Sequence, residues 1–148
     1  MDLSIAVISY NTRDLLLACL QSVSERTKGV DYEVIVVDNA SKDGSVDAVR
    51  ARFPHVTVIA NDENSGFAKA CNQAAVVSSG RYLLLLNSDT VMQQGTLRTM
   101  VSCLDQHLDI GAVSCLQRDE QGRVVQSCFP FPSIRDHVLY AKTLPTVM

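Results

Sequence analysis

The chain has 148 residues, is 47% apolar and 20% charged, and carries a formal net charge of −3. That length suits one domain with a real core, and that composition excludes intrinsic disorder. A mildly negative chain has no basic field to draw nucleic acid or anionic lipid, so neither is expected as a partner.

LSIAVIS, at residues 3–9, is a short, partly β-branched apolar run and predicts a buried strand. Asn11 or Thr12 can cap a following helix, in which Leu15, Leu16, Cys19, Leu20 and Val23 recur at helical spacing until Gly29. EVIVV, at 33–37, is a second buried strand that stops at the loop signal DNASKDG. Val46, Val49 and Phe53 mark a short helix closed by Pro54. VTVIA, at 56–60, is a third strand, followed by the polar loop NDENSG. Phe67, Ala70, Cys71, Ala74 and Ala75 form a helical stripe of small residues that lets the helix approach a sheet closely.

Residues 81–86 make a fourth strand, and its four consecutive leucines predict a central position buried on both faces. Leu97, Met100, Val101, Leu104 and Leu108 mark a fourth helix. GAVSC, at 111–115, predicts a fifth strand, and QRDEQGRVVQ, at 117–126, a hairpin with Gly122 at its turn. Apolar strands that alternate with helices predict a parallel α/β sheet covered on both faces. Ligands of such sheets bind outside the carboxyl ends of the strands. Four polar clusters fall there: Ser9-Tyr10-Asn11, Asp38-Asn39, residues 61–66 and Asn87-Ser88-Asp89.

The five cysteines, Cys19, Cys71, Cys103, Cys115 and Cys128, are odd in number and contain no C-x-x-C, so neither a disulfide framework nor a zinc site is expected. Reduced thiols on apolar helix faces fit a cytoplasmic setting. No signal peptide is expected, and no segment approaches the roughly 18 apolar residues of a membrane span.

Asp89 leaves an apolar strand, where a carboxylate is costly unless its charge is compensated. A hard cation, Mg²⁺ or Mn²⁺, would do so with oxygen ligands. Asn87 lies two residues away and so shares a face with Asp89 in an extended segment. The alternative is a solvated turn or helix-capping residue. Asp38 can accept from a nucleobase N–H or a ribose hydroxyl, or it can start an Asx turn. Gly66 ahead of a helix lets a phosphate approach the backbone, while Asn64 or Ser65 can cap the same helix. His55, His107 and His137 are scattered, and Asp119-Glu120 belong to a hairpin turn. No G-x-G-x-x-G, P-loop or G-x-S-x-G occurs.

In this order and spacing SIAVISYN, EVIVVDNASKDGS, NDENSGFAKACNQA and YLLLLNSDT resemble the N-terminal half of the inverting family 2 glycosyltransferases. Within them the chain is most similar to the rhamnosyltransferase-like bacterial enzymes of cell-surface polysaccharide synthesis, and DEQGRVVQSCFPFPS is similar to the segment that follows there. The resemblance implies the GT-A fold, a Rossmann-like, mostly parallel sheet with helices on both faces. It implies a nucleotide-diphosphate sugar donor, dTDP-rhamnose or a UDP-sugar, and a glycan or lipid-linked acceptor. Ser9, Tyr10 and Asn11 would line the base and ribose, and Asp38 with Asn39 would bind the nucleoside. Asn64, Gly66 and Asn72 would shape the pocket. Asn87-Ser88-Asp89 would stand for the family's D-x-D motif, with Asp89 on the Mg²⁺ or Mn²⁺.

The general base of such an enzyme lies well beyond its D-x-D, and no convincing base follows Asp89 before Met148. The expectation is therefore a single donor-binding domain over residues 1–148, truncated at its C-terminal side. Acceptor binding, the base and any peripheral contact with the inner face of the membrane would belong to a missing region. A nucleotide-sugar binder without catalysis is the alternative. A nucleotidyltransferase would need a Gly-rich loop where Tyr10-Asn11-Thr12-Arg13 stand.

Overall fold

The structure, a computed structural model, describes residues 1–126. Strand β1 (Leu3–Ser9) leads into α1 (Arg13–Arg26), β2 (Tyr32–Asp38), α2 (Ser45–Arg52), β3 (Thr57–Ala60), α3 (Phe67–Val77), β4 (Tyr82–Asn87) and α4 (Thr96–Gln106). The four strands form one parallel sheet in the order β3-β2-β1-β4.

Alternation along β1 divides the core. Ile5 and Val7 face a large cluster with Leu16, Cys19, Leu20 and Val23 of α1, Val49 of α2 and Leu97 and Val101 of α4. Ala6, with Ile35 and Val37 of β2, faces Ala70 and Ala74 of α3. The alanines of α3 allow the close approach that the stripe of small residues predicts. Each fully buried side chain such as Ile5 or Leu16 contributes roughly 1.5–3 kcal/mol.

Three expectations are corrected. Strand β4 is an edge strand of this sheet, not its centre. Leu86 is buried, but Leu83 and Leu85 are 41% and 49% exposed. They share a face with Ser4 and Ala6, and α3 covers that face only over β1 and β2. An unbroken run of leucines does not encode which neighbour lies beside it. Residues 111–115 form no strand, because GAVSC finds no ladder partner among the described residues. Leu108 lies beyond the end of α4 and is 92% exposed.

The chain divides into two compact units, Met1–Val113 and one that begins at Ser114. In the second, β5 (Gln117–Arg118) and β6 (Val124–Val125) pair as the expected hairpin, with Gly122 at a φ of 77° in its turn. Asp119 organises that turn. It accepts from the Arg123 and Gln121 amides and the Arg123 side chain, and these bonds, the Arg123 amide foremost, outweigh desolvation and hold its carboxyl below the ordinary range. Cys19, Cys71, Cys103 and Cys115 are free thiols. Cys128, His137 and the second half of DEQGRVVQSCFPFPS lie outside the described residues. Among the described residues no helix is long and apolar enough to cross a membrane.

Two polar knots hold the unit. At the amino ends of the strands Ser4 Oγ donates to Glu33 Oε1 (2.6 Å) and accepts from the Gly80 amide (2.8 Å). At the opposite end Asp43 joins two helices. Its Oδ2 accepts from the first amide of α1, that of Arg13 (2.9 Å), and its Oδ1 from the Ser45 amide at the start of α2 (3.0 Å). Burial pushes the Asp43 carboxyl up, but the hydrogen bonds from Ser45 and Arg13 outweigh it and leave the group below its ordinary 3.8.

Gly80→Ala would set a Cβ against the Ser4 amide nitrogen, 2.6 Å from the Leu3 carbonyl carbon and 2.7 Å from Ser4 Oγ. It is expected to cost about 1–3 kcal/mol by urea unfolding, whereas Gly111→Ala, which meets nothing within 4 Å, should stay within about 0.5 kcal/mol. Asp43 has a lowered folded pKa, so its contribution is complete above the ordinary value of 3.8 and is lost as pH falls through the folded value. The stability gap between wild type and Asp43→Asn should therefore be constant at neutral pH and close in acid. A gap that persists below pH ~2 would contradict this.

Candidate functional site

Parallel register brings the strand ends level. Ser9 lies beside Asp38, Asp38 beside Ala60, and Ile8 beside Asn87. The four polar clusters therefore emerge on one edge, as the pattern of apolar strands and polar exits predicts.

After β1, Ser9 is buried and its carbonyl accepts from the Asn39 amide (2.9 Å). Ser9 Oγ, Thr12 Oγ1 and Ser88 Oγ form a chain of hydroxyls with successive separations of 3.0 Å. Thr12 is the N-cap residue of α1, yet its side chain makes no capping bond. Asp43 serves the Arg13 amide instead, which leaves the Thr12 hydroxyl to tie β1 to β4. Tyr10 is half exposed. Asn11, at a φ of 53°, suits the left-handed region better than most residues. Its amide donates to Ser41 Oγ (2.8 Å) and its Oδ1 accepts from the Lys42 amide (2.8 Å). The Asn11 side chain thus braces the β1 loop against the β2 loop.

After β2, Asp38 is 2% exposed. Its Oδ2 accepts from the Ser41 amide (2.8 Å), an Asx turn, while its Oδ1 is buried without a partner. Both roles open to it from sequence are thus compatible, one per oxygen. An unsatisfied buried acceptor costs about 1–3 kcal/mol. It sits beside Ala40, which holds a strained φ of 65°. A donor from a ligand would relieve the first of these costs.

Asn39 is also buried, and both its amide oxygen and its amide nitrogen are engaged. Its Oδ1 accepts from Asn61 Nδ2 (3.0 Å) and Ser65 Oγ (3.4 Å), and its Nδ2 donates to the Gly66 carbonyl (3.4 Å). Asn61 and Gln73 exchange two bonds of 2.9 Å. Asn39 therefore acts through the loops it joins. Asn61, Gln73, Ser41, Thr12 and Asp43 all support the site and were not singled out for it from sequence. Asn61 and Asp43 fall in the loop signals, but no local pattern pairs residue 73 with residue 61.

Asn64 Oδ1 accepts from the Gly66 amide (3.0 Å). Gly66 has a φ of 82° and precedes α3, which has no side-chain cap. Neither Asn64 nor Ser65 caps the helix, so no side chain satisfies its first amides. Asn72 is exposed on α3 and makes no hydrogen bond with the other residues named here.

At the end of β4 Asn87 is exposed, Ser88 buried and Asp89 exposed; Ser88 and Asp89 form a turn and not the extended segment expected, so strand alternation does not set a shared face for Asn87 and Asp89. The Asn87 carbonyl accepts from the Thr90 amide (3.1 Å) and the Cys19 thiol (3.7 Å). Burial, and then the nearby Asp89 charge, pushes the Cys19 thiol up to about 12. Cys19 therefore remains a protonated donor and not a nucleophile. Asp89 has no hydrogen-bond or ion-pair partner among the described residues.

Among the described residues no group of three or more His, Cys, Asp and Glu side chains is placed to hold a metal ion. One free carboxylate beside one free amide oxygen fits a hard cation only when a ligand brings further oxygens, as a diphosphate does. His55 packs edge-on against Phe53 and His107 ends α4, so neither is at this edge.

Residues 4–134 match the family model described as glycosyl transferase family 2. An uncharacterized glycosyltransferase of Haemophilus influenzae is 35% identical over 111 residues, which cover 75% of this chain and 37% of that protein. The poly(ribitol-phosphate) beta-glucosyltransferase of Bacillus spizizenii is 37% identical over 94 residues, 60% of this chain and 15% of its own. Among solved structures, S. aureus TarS 1-349 in complex with UDP-GlcNAc superimposes with a TM-score of 0.66 at 27% identity, covering 73% of this chain and 32% of that one. The mannosyltransferase PcManGT from Pyrobaculum calidifontis, in complex with GDP-Man and Mn2+, gives 0.64 at 30% identity, covering 69% and 32%. The chain thus spans well under half the length of these relatives. Its parallel sheet with flanking helices is the α/β fold of those GT-A glycosyltransferases, and by the match over residues 4–134 the chain belongs to glycosyl transferase family 2.

Proposed function

We propose that the chain is the donor-binding part of an inverting glycosyltransferase that moves a sugar from a nucleotide-diphosphate sugar to a glycan or lipid-linked acceptor. The buried, unpartnered Oδ1 of Asp38 carries this reading. Such an acceptor at the carboxyl end of a central strand is complementary to a nucleobase N–H or a ribose hydroxyl. Ser9, Tyr10 and Asn11 form one wall beside it. Asn39, Asn64 and Gly66 shape the other, with Asn72 farther along α3. The similarity to the rhamnosyltransferase-like subgroup favours dTDP-rhamnose as donor. UDP-sugars come next, in keeping with the UDP-GlcNAc complex of TarS.

Asp89, with Asn87 and Ser88 beside it, would hold Mg²⁺ or Mn²⁺ against the donor diphosphate. Bound there, the cation neutralises charge that develops on the leaving nucleoside diphosphate. The neighbouring complex with GDP-Man and Mn2+ supports this choice of ion. Asp89 is free to serve because no basic side chain of the described chain pairs with it, and the hydroxyl chain from Ser9 to Ser88 fixes β4 against the nucleoside wall.

No base that would deprotonate the acceptor hydroxyl is assigned among the described residues. Asp43 is engaged by Arg13 and Ser45, and Asp62 and Glu63 follow β3, which β2 and β1 separate from β4 in the strand order. The location that goes with this activity is cytoplasmic.

Titration calorimetry with dTDP-rhamnose, UDP-glucose and GDP-mannose tests the site. At least one donor should bind, and Mn²⁺ should strengthen it. Asp89→Ala should abolish the Mn²⁺ increment and leave metal-free affinity unchanged. Asp38→Asn should weaken both by about tenfold or more without lowering the thermal midpoint, because the oxygen it replaces has no partner within the chain. Absence of binding by every donor, or indifference to Mn²⁺ and Asp89, refutes the assignment. With a polyol-phosphate or oligosaccharide acceptor, the 148-residue chain should release almost no nucleoside diphosphate. Robust transfer would show that the base lies within it.

A further inference from the structure

Behind the ligand edge, α1 grips the loop that leaves β4 at both of its ends. At the near end the Cys19 thiol donates to the Asn87 carbonyl. At the far end Met92 is held on both of its backbone groups. Its amide donates to Ser22 Oγ (2.9 Å), and its carbonyl accepts from Arg26 Nη1 (2.9 Å). The Ser22 hydroxyl donates in turn to the Cys19 carbonyl (2.7 Å). Ser22 and Met92 are both 5% exposed, and the Met92 side chain sits in the core with Leu97.

Cys19, Ser22 and Arg26 stand three and four residues apart, so they form one stripe of α1. Helix packing alone does not call for a serine there, since alanine fills the same place with better helix propensity. The serine is matched instead to a loop amide that would otherwise be buried without an acceptor. Between the two anchors only residues 88–91 are unsupported by α1, apart from the Thr12–Ser88 contact. Asp89 is exposed at the tip of that short span.

We propose that Ser22 and Arg26, with Cys19, are positioning residues for Asp89: they hold its loop where a cation–diphosphate pair meets the carboxylate, and touch neither. The inference rests on the donor site described above. A loop already ordered before binding loses less conformational freedom when the ligand arrives, so affinity increases without any new contact.

The test uses the full chain with Arg26→Met, Arg26→Lys, Ser22→Ala and, in parallel, Asp89→Ala. Two readouts are taken: amide hydrogen exchange over residues 88–92, and Mn²⁺ binding by electron paramagnetic resonance with UDP, dTDP or GDP, whichever the wild type binds. Arg26→Met should speed exchange within 88–92 alone and weaken the Mn²⁺–nucleotide complex by about threefold to tenfold. Metal-free nucleotide affinity should not change. Arg26→Lys should restore both, because a single N–H to a single carbonyl suffices. Ser22→Ala should act like Arg26→Met, and if it fails to fold, the Arg26 pair decides the matter alone.

Wild-type exchange or wild-type Mn²⁺ affinity in Arg26→Met overturns the inference. So does a loss that extends equally to metal-free binding, or a lysine that does not rescue. If Asp89→Ala loses the Mn²⁺ response while Arg26→Met keeps it, only the positioning role falls. If Asp89→Ala also keeps it, or no nucleotide binds, the donor site itself is refuted and the positioning role falls with it.

Discussion

The in-register parallel pairing of β1 and β2 underlies everything else in the molecule. Seven residue pairs run from Leu3 and Tyr32 to Ser9 and Asp38, and almost every side chain along them is buried. Because the strands are parallel and level, both must release their polar exits at one place. Burial on both faces then leaves the chain no way to slip by a residue without exposing one apolar set and burying a polar one. The site is a consequence of where the apolar runs stop.

The edge so formed is stiffened by polar side chains that mostly serve one another. Asn11 and Ser41 lock the first two loops, Asn39 joins the second and third, Asp43 starts two helices, and the hydroxyls of Ser9, Thr12 and Ser88 cross the gap from β1 to β4. Against that background the groups left over stand out: one oxygen of Asp38, the side chains of Asn87 and Asp89, and the uncapped start of α3. A satisfied network positions. The groups it leaves unmatched are those free to meet a ligand.

Among the described residues the sheet is not continued on its β4 side. Leu83 and Leu85 remain exposed and the outer edge of β4 has no ladder partner among the described residues. The chain covers 37% and 15% of the two relatives described above. A run of leucines carries no record of which neighbour lies beside it, which is why four leucines in a row read as a central strand.

Much of this was legible in the sequence. Hydrophobic periodicity gave the four strands, the four helices and the hairpin, and the shared position of the polar exits gave the ligand edge. The residue types at those exits left Asp38 open between a ligand acceptor and an Asx turn, and Asp89 between a cation ligand and a solvated turn or cap; the nucleotide-sugar reading came from the family resemblance. These are local properties, set by which side chains follow one another. Only tertiary structure decided the rest. That Asp38 keeps one oxygen free, that Asn39 and Asn11 are engaged with other loops, that β4 is an edge, and that α1 holds the Asp89 loop through Ser22 and Arg26 all depend on contacts between residues 22 to 76 positions apart. Such pairs leave no trace in spacing or composition, because the geometry that brings them together exists only once the sheet has formed.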